Sequence, residues 1–473
     1  MLCNKLFIIL LFHYLTAYVK PLVTNLLPMG ILTSSAHFGR KLTFLFWKEP
    51  CAALSKLTRI PWKETIKLVQ QFIRTTCNTI RRVIDNAMAR WLPQRPRTLE
   101  WNDSLVIRIE DNLKRYFLEQ GKQKSADSLF HTIHRHHLSR DERELIQYIK
   151  RSVRNANRSN ITRTAAYLRM YTSHPELHWA LLAHMVSRNG GYNMTDLKGE
   201  WLPAFMNSEY RHWSYRMLER CNALIFHDAY CQLLLYASSR KSGKSLFHLL
   251  PFFGVSAFMT PVWDTFWIQP NSPLLTISLI INEQNVIEGR VVQNPAFQQH
   301  IIQRKDFLAH GLLQMNQIVF PTQTPHATSP ARLVGLTLER FDNLEERIAF
   351  GKQLYTIMFD IPDVLEGVQK FARTVPHTGS RADYWPHRFT LDKLALRRDR
   401  TTNVAYSPRL VEVWQDEQHA PIEVGDWLHD ERAVHDLYLP TVPHAIDMND
   451  AHNELLNEMQ SLARIAANKN SMK

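Results

Sequence analysis

From Leu177 to Val186 nearly every residue is apolar: Leu177, Trp179, Ala180, Leu181, Leu182, Ala183, Met185 and Val186. A helix without a polar face is a buried helix, so this stretch predicts the element around which the chain folds. His174-Pro175 reads as its start, because proline at the first helical position lacks only an N–H that has no intrahelical acceptor. Asn189-Gly190-Gly191 reads as its end, since glycine enters left-handed backbone conformations without a Cβ clash. Glu176 and Arg188 suit the two poles of the helix dipole. The expectation is a buried central helix over about 175–188 that delivers a polar loop, Asn189 to Gly199.

The same periodicity places other helices. Trp62, Ile66, Val69, Ile73, Cys77, Ile80, Ile84, Ala87 and Trp91 recur at steps of three and four, with Lys63, Lys67, Arg74, Arg81, Arg82 and Arg90 on the other face. Residues 104–156 read as three short amphipathic helices, and Phe205 to Tyr236 as a long aromatic-rich one. Leu274 to Val292 reads as helix, Asn343 caps another, and Asp363 starts one that ends near Arg373. No stretch alternates long enough to predict a strand pair. The fold class expected is mainly α: a multi-helix globular body around the buried central helix, with an N-terminal basic amphipathic extension. Segments divide as 1–97 (apolar run, basic helix, linker), 98–415 (helical body) and 416–473 (a tail ending in an amphipathic helix).

Charge changes this picture at one end only. Residues 1–100 hold 15 Lys and Arg against 4 acids, which accounts for eleven of the net +13. Beside them, residues 6–19 form a 14-residue apolar run, short of the about 20 that a membrane-spanning helix needs. A basic amphipathic helix next to an apolar segment matches an interfacial membrane element. The anionic face of a membrane is therefore an expected partner for residues 6–91, with a cytoplasmic or membrane-attached location; a signal peptide or a core helix is the competing reading of 6–32. The nearly neutral remainder argues against nucleic acid as the partner. Five cysteines without a CxxC spacing favour a reducing compartment.

Two polar stretches can carry chemistry. In the first, His184 lies one turn before Arg188, followed by Asn189, Asp196 and Lys198. A histidine beside a carboxylate can act as general base while Arg188 or Lys198 holds an anion. The plainer reading makes His184 a core residue, Arg188 a C-terminal cap, and Thr195-Asp196 the start of the next helix. In the second stretch, His377-Thr378-Gly379-Ser380-Arg381-Ala382-Asp383-Tyr384-Trp385-Pro386-His387, free N–H groups, hydroxyls and a guanidinium suit an anion pocket. Ser380 and Asp383 also match a capping box. The candidate acid/base residues are His184, Asp196, His377 and Asp383; the candidate ligand contacts are Arg188, Asn189, Lys198, Ser380 and Arg381. No metal set is assigned: Arg135 and Arg140 repel a cation from His131, His134, His136 and His137, and His174-Pro-Glu-Leu-His178 misplaces the glutamate of a zinc-protease motif. The cofactor is unknown.

Three blocks together carry a resemblance: HWALLAHMVSRNGGYNMTDLKGEWLP from His178, LIINEQNVIEGRVVQNP from Leu279, and HTGSRADYWPHRF from His377. They resemble a bacterial family of uncharacterised proteins, the domain of unknown function DUF2515, over roughly Asp141 to Trp414. The resemblance implies no activity and lends no residue a role. A helical protein that binds an anionic small molecule in a polar pocket, with hydrolysis as one outcome, is the functional expectation; a non-enzymatic helical scaffold at the membrane face is the alternative.

Overall fold

The computed structural model describes residues 98–122, 138–303, 316–322, 330–393, 404–417, 419, 425–429 and 431–470. The apolar run 6–32, the basic segment 62–91, the linker and the histidines of 131–137 lie outside the described residues. The fold is mainly α. In chain order its elements are α1 (Asp103–Lys122), α2 (Arg140–Ala156), α3 (Asn160–Ser173), α4 (His178–Asp196), α5 (Leu202–Phe205), α6 (Ser208–Ser242), a 3-10 helix (Phe247–Phe253), α7 (Met259–Ile268) and α8 (Ser272–Ile287). A π turn (Glu288–Val292) extends α8; α9 (Pro295–Phe297) runs into a second one (Gln298–Ile302). Then follow strands β1 (Gln317–Thr322) and β2 (Arg332–Thr337), α10 (Leu344–Phe359), α11 (Pro362–Thr374) and a 3-10 turn (Arg381–Asp383). Strands β3 (Phe389–Thr390) and β4 (Ala405–Tyr406), α12 (Leu410–Val413), a 3-10 turn (Glu431–Asp436) and α13 (Asn449–Asn470) complete the chain.

The central helix is α4, with bounds that differ from expectation. Pro175 and Glu176 form a turn, and the helix starts at His178. It does not stop at Gly190-Gly191 but runs about one and a half turns further to Asp196, so most of the expected polar loop is helix and Arg188 is no terminal cap. Packing decides this against propensity, which charges each interior glycine about 1 kcal/mol. A Cβ on Gly191 would lie 2.6 Å from Asn160 Oδ1 and 2.7 Å from His377 Nε2, so only glycine lets these groups approach. Beyond it Tyr192, Met194 and Thr195 are buried and hold the last turns in place.

Around α4 pack α3, α6, α8, α10, α12 and β1. α3 runs antiparallel to it: Asn160 meets Ser187 at one end and Tyr167 meets Trp179 at the other. Trp179, Leu181, Met185 and Tyr192 are at most 1 % exposed, which makes α4 the hub of a single core. α6 carries a fully buried ion pair to α3, Glu219 with Arg163 at 2.6 Å. Its C-terminus is a left-handed glycine, Gly243, which explains Ser242-Gly243-Lys244 as a helix end.

The β1–β2 hairpin has no counterpart in the sequence reading. Its strands pair antiparallel from Gln317–Thr337 to Thr322–Arg332. Both are buried on two sides, so the alternation that marks a half-exposed strand is missing. Asn189 pairs with the open edge of β1 as another strand would: its Nδ2 donates to Val319 O at 2.7 Å and its Oδ1 accepts from Val319 N at 3.0 Å. On the other edge, Gly335 N donates to Ile446 O and Met448 N to Leu333 O, which ties the segment before α13 to the body.

Candidate functional site

The site is built where the start of α3, the middle of α4 and the segment 375–384 meet. Ser159 caps α3 and places Asn160 in its first turn, fully buried. Asn160 Nδ2 donates to Ser187 O at 2.8 Å, and a carbonyl can only accept, so the amide orientation follows. Its Oδ1 then accepts from His377 Nε2 at 2.8 Å. Thr164 O accepts from His184 Nδ1 at 2.8 Å. Each imidazole thus has its proton assigned by an acceptor, and each keeps a lone pair on the other nitrogen. His184 Nε2 and His377 Nδ1 are buried and lack a partner. Burial, with Arg188 adding to it, holds His184 down at about 3. Burial likewise holds His377 down at about 4, although Asp383 pulls it up. Both rings are neutral, the form that accepts a proton.

Arg188 is 1 % exposed and already engaged. Its Nε donates to Tyr192 Oη at 3.1 Å, Nη1 to Val375 O at 2.8 Å and Nη2 to Pro376 O at 3.3 Å. The guanidinium lies 4.5 Å over the Phe371 ring. Asp383 Oδ2 is its nearest carboxylate, at 3.7 Å from Nη2, and lies 3.6 Å from His377 Nδ1. Asp383 accepts from Thr378 N at 2.9 Å and Thr378 Oγ1 at 2.6 Å. The expected capping box is therefore only half formed: Ser380 Oγ accepts from Ala382 N, but Asp383 turns back to Thr378 instead of to Ser380.

A second cluster adjoins the first. Arg381 grips Asp196, with Nε 3.0 and 2.8 Å from the two oxygens and Nη2 2.7 Å from Oδ2. Its Nη2 also donates to Asn193 Oδ1 at 3.2 Å and Nη1 to Tyr384 Oη at 2.5 Å. Burial opposes this charge, but Asp196 and the Tyr384 hydroxyl hold the guanidinium ionised. Tyr384 Oη sits 3.0 Å from His452 Nε2, and His452 Nδ1 sits 2.9 Å from Gln317 Oε1. Burial, with Arg381 and Arg388 adding to it, keeps His452 neutral well below the usual histidine range. Ser380 Oγ donates to Ser407 O at 2.6 Å, and Ser407 Oγ accepts from Arg381 N at 2.9 Å. The Tyr192 ring joins the clusters, 5.0 Å from Tyr384 and 5.5 Å from His377.

Seven of the nine expected residues come together here: His184, Arg188, Asp196, His377, Ser380, Arg381 and Asp383. Asn189 does not, because its amide is bound to β1. Lys198 does not either; it is exposed, with Nζ 4.6 Å over the Trp414 ring. Thr378 and Tyr384 stood in the second stretch without a role of their own; Asn160, Thr164, Tyr192 and His452 were missed. Tyr384 stands in the same block as Arg381, but nothing local marks Asn160 or His452. Asp196 and Asp383 balance Arg188 and Arg381, so the cluster carries no surplus cation. His178, at the motif resembling a zinc site, instead stacks on Phe359 at 4.2 Å and meets Tyr355 Oη at 3.0 Å.

The family described as "Protein of unknown function (DUF2515)" matches residues 155–456, well over half of the chain. That match starts later than the resemblance suggested and reaches past Trp414 to take in His452, so every residue of both clusters lies inside it. The chain is similar to "Uncharacterized protein YppC" of Bacillus subtilis (strain 168), 38% identical over 310 residues, which are 63% of this chain and 95% of that protein. No solved structure matches it. On the extent of that match, the chain belongs to the DUF2515 family.

Proposed function

We propose that the helical body binds a small polar molecule at the His184–Arg188–His377–Asp383 cluster. What supports this reading is one observation: two buried imidazole nitrogens, His184 Nε2 and His377 Nδ1, keep lone pairs with nothing to accept from. A buried acceptor left unpaired costs about 1–3 kcal/mol, and a bound O–H or N–H donor removes that cost. Arg381 is held by Asp196; Arg188 donates to Tyr192 and two carbonyls and keeps only a loose contact to Asp383, so an anionic group meets it by taking the place of that carboxylate. The ligand of this reading has hydrogen-bond donors and at most one negative group. If the bound donor is water, the neutral His377 is its general base, and the reaction class is hydrolysis.

Two substitutions remove only the orphan nitrogens. Asparagine at 184 keeps a donor for Thr164 O, and glutamine at 377 keeps one for Asn160 Oδ1. Thermal shifts of the full chain with a panel of small carboxylates and phosphate esters are measured beside His184→Asn and His377→Gln. The expected result is at least one compound that stabilises the parent protein and loses its effect in both variants. An empty panel, or compounds that stabilise all three proteins equally, overturns the reading.

A second reading is favoured by charge. Residues 1–100 carry eleven of the net +13, which suits attachment to an anionic membrane face without any catalysis. No described helix is long and apolar enough to cross a membrane, so this attachment is interfacial or rests on residues 1–97. Full-length protein that stays in the supernatant with membranes at low salt refutes it.

A further inference from the structure

The helix α2 buries Ile146, Ile149 and Val153 against α3, α6 and the 3-10 helix that follows α6. The exposed side of this helix carries Arg140, Arg143, Lys150, Arg151 and Arg154, with two exposed acids, Asp141 and Glu144, near its start. Arg140 binds Glu144 at 2.9 Å, which is the one ion pair on this face among the described residues. Arg143, Lys150, Arg151 and Arg154 have no ion-pair or hydrogen-bond partner there. Arg158, just beyond the helix, is exposed and equally unpartnered, and Tyr148 stands at the edge of the face, 55% exposed. A solvated helix face usually mixes signs and pairs them at i, i+4. Here the acids stop after Glu144, and Lys150, Arg151, Arg154 and Arg158 follow one another along about 12 Å with no acid between them.

We propose that this face of α2 is a docking surface for anionic phospholipid. Charge decides the class of partner: several Lys and Arg on one helix face, flanked by an interfacial tyrosine, are what an anionic leaflet attracts. The sign matches the first hundred residues, whose apolar runs have a place at a lipid surface and none on a nucleic acid. The proposal shares its partner with the membrane reading above, but it stands on different residues. Each basic side chain near such a surface contributes up to about fivefold in partitioning.

The test is co-sedimentation of the full chain with phosphatidylcholine vesicles containing about a third phosphatidylglycerol, and with pure phosphatidylcholine. The charge-removing variant is Arg143→Gln/Lys150→Gln/Arg151→Gln/Arg154→Gln; glutamine is as good a helix former and the sites are exposed. A charge-keeping control, Arg143→Lys/Arg151→Lys/Arg154→Lys, guards against loss of fold. The expected result is at least tenfold weaker partitioning of the glutamine variant onto the anionic vesicles, with the lysine control within twofold of the parent. A glutamine variant that partitions within twofold of the parent overturns the proposal and leaves attachment through residues 1–97 standing. A parent chain that ignores anionic vesicles overturns both. A tenfold loss seen on duplex RNA but not on vesicles overturns the lipid assignment.

Discussion

Replacing Asp228 by asparagine removes a charge that the core of this protein holds at a cost. Asp228, on α6, is 6 % exposed. Its Oδ2 accepts from Gln232 Nε2 at 2.9 Å and Asn282 Nδ2 at 2.5 Å. Both amides are oriented by indoles that can only donate: Trp263 Nε1 to Gln232 Oε1 at 2.8 Å and Trp427 Nε1 to Asn282 Oδ1 at 2.9 Å. No Lys or Arg pairs with Asp228 among the described residues. Burial pushes its carboxyl up to about 7 from 3.8; Asn282, Arg290 and Gln232 pull it down without overcoming burial, and Asp426 adds to the rise. Glu283, next to Asn282 on α8, is pushed up to about 8 by burial, with Asp228 adding to the rise. A raised acid binds its proton more tightly in the folded state. Its stabilising contribution is therefore complete below the unfolded value and is lost as pH climbs towards the folded one. A rise of about three units corresponds to about 4 kcal/mol. Of that, about 2–3 kcal/mol falls between about pH 5 and pH 8. Asparagine has nearly the same shape, and its Oδ1 can accept both amide N–H groups. The assay is urea unfolding of parent and Asp228→Asn from about pH 5 to pH 8. The variant gains about 2–3 kcal/mol on the parent over that range, the opposite of what removing an ordinary carboxylate does. Two stability curves that run parallel with pH refute the account.

Three further outcomes follow from the geometry. Gly191→Ala improves helix propensity by about 1 kcal/mol, yet its Cβ would meet Asn160 and His377 inside 3 Å, so denaturant unfolding shows a net loss of about 1–3 kcal/mol. Asn189→Leu leaves Val319 N and O without partners and costs about 2–4 kcal/mol, with faster hydrogen exchange at the Val319 amide as its local signature. Glu219→Gln strands the buried Arg163 guanidinium and lowers stability by about 3–5 kcal/mol, whereas exchanging Glu412 on the surface for glutamine changes it by less than about 1 kcal/mol.

What the sequence determined by itself is the helical inventory. Apolar residues repeating every three to four positions, a proline or asparagine at a start and a glycine at an end are local causes, and they placed α6, α8, α10 and α11 nearly where they lie. The buried helix α4 was legible for the same reason. Its true end was not, because Gly190 and Gly191 are tolerated only through contacts with residues far away in sequence. Asn160 and His377 press against Gly191, and Val319 holds Asn189. The β1–β2 hairpin was hidden because strands covered on both faces show no alternation. The candidate site divides in the same way. Its charged members stood out as polar residues beside core segments, but the orientation of each imidazole depends on Asn160 and Thr164 of another helix. Only tertiary structure bound the Asn189 amide to β1, joined Tyr384 and His452 to Arg381, and supplied the burial that leaves two histidines neutral with a lone pair each.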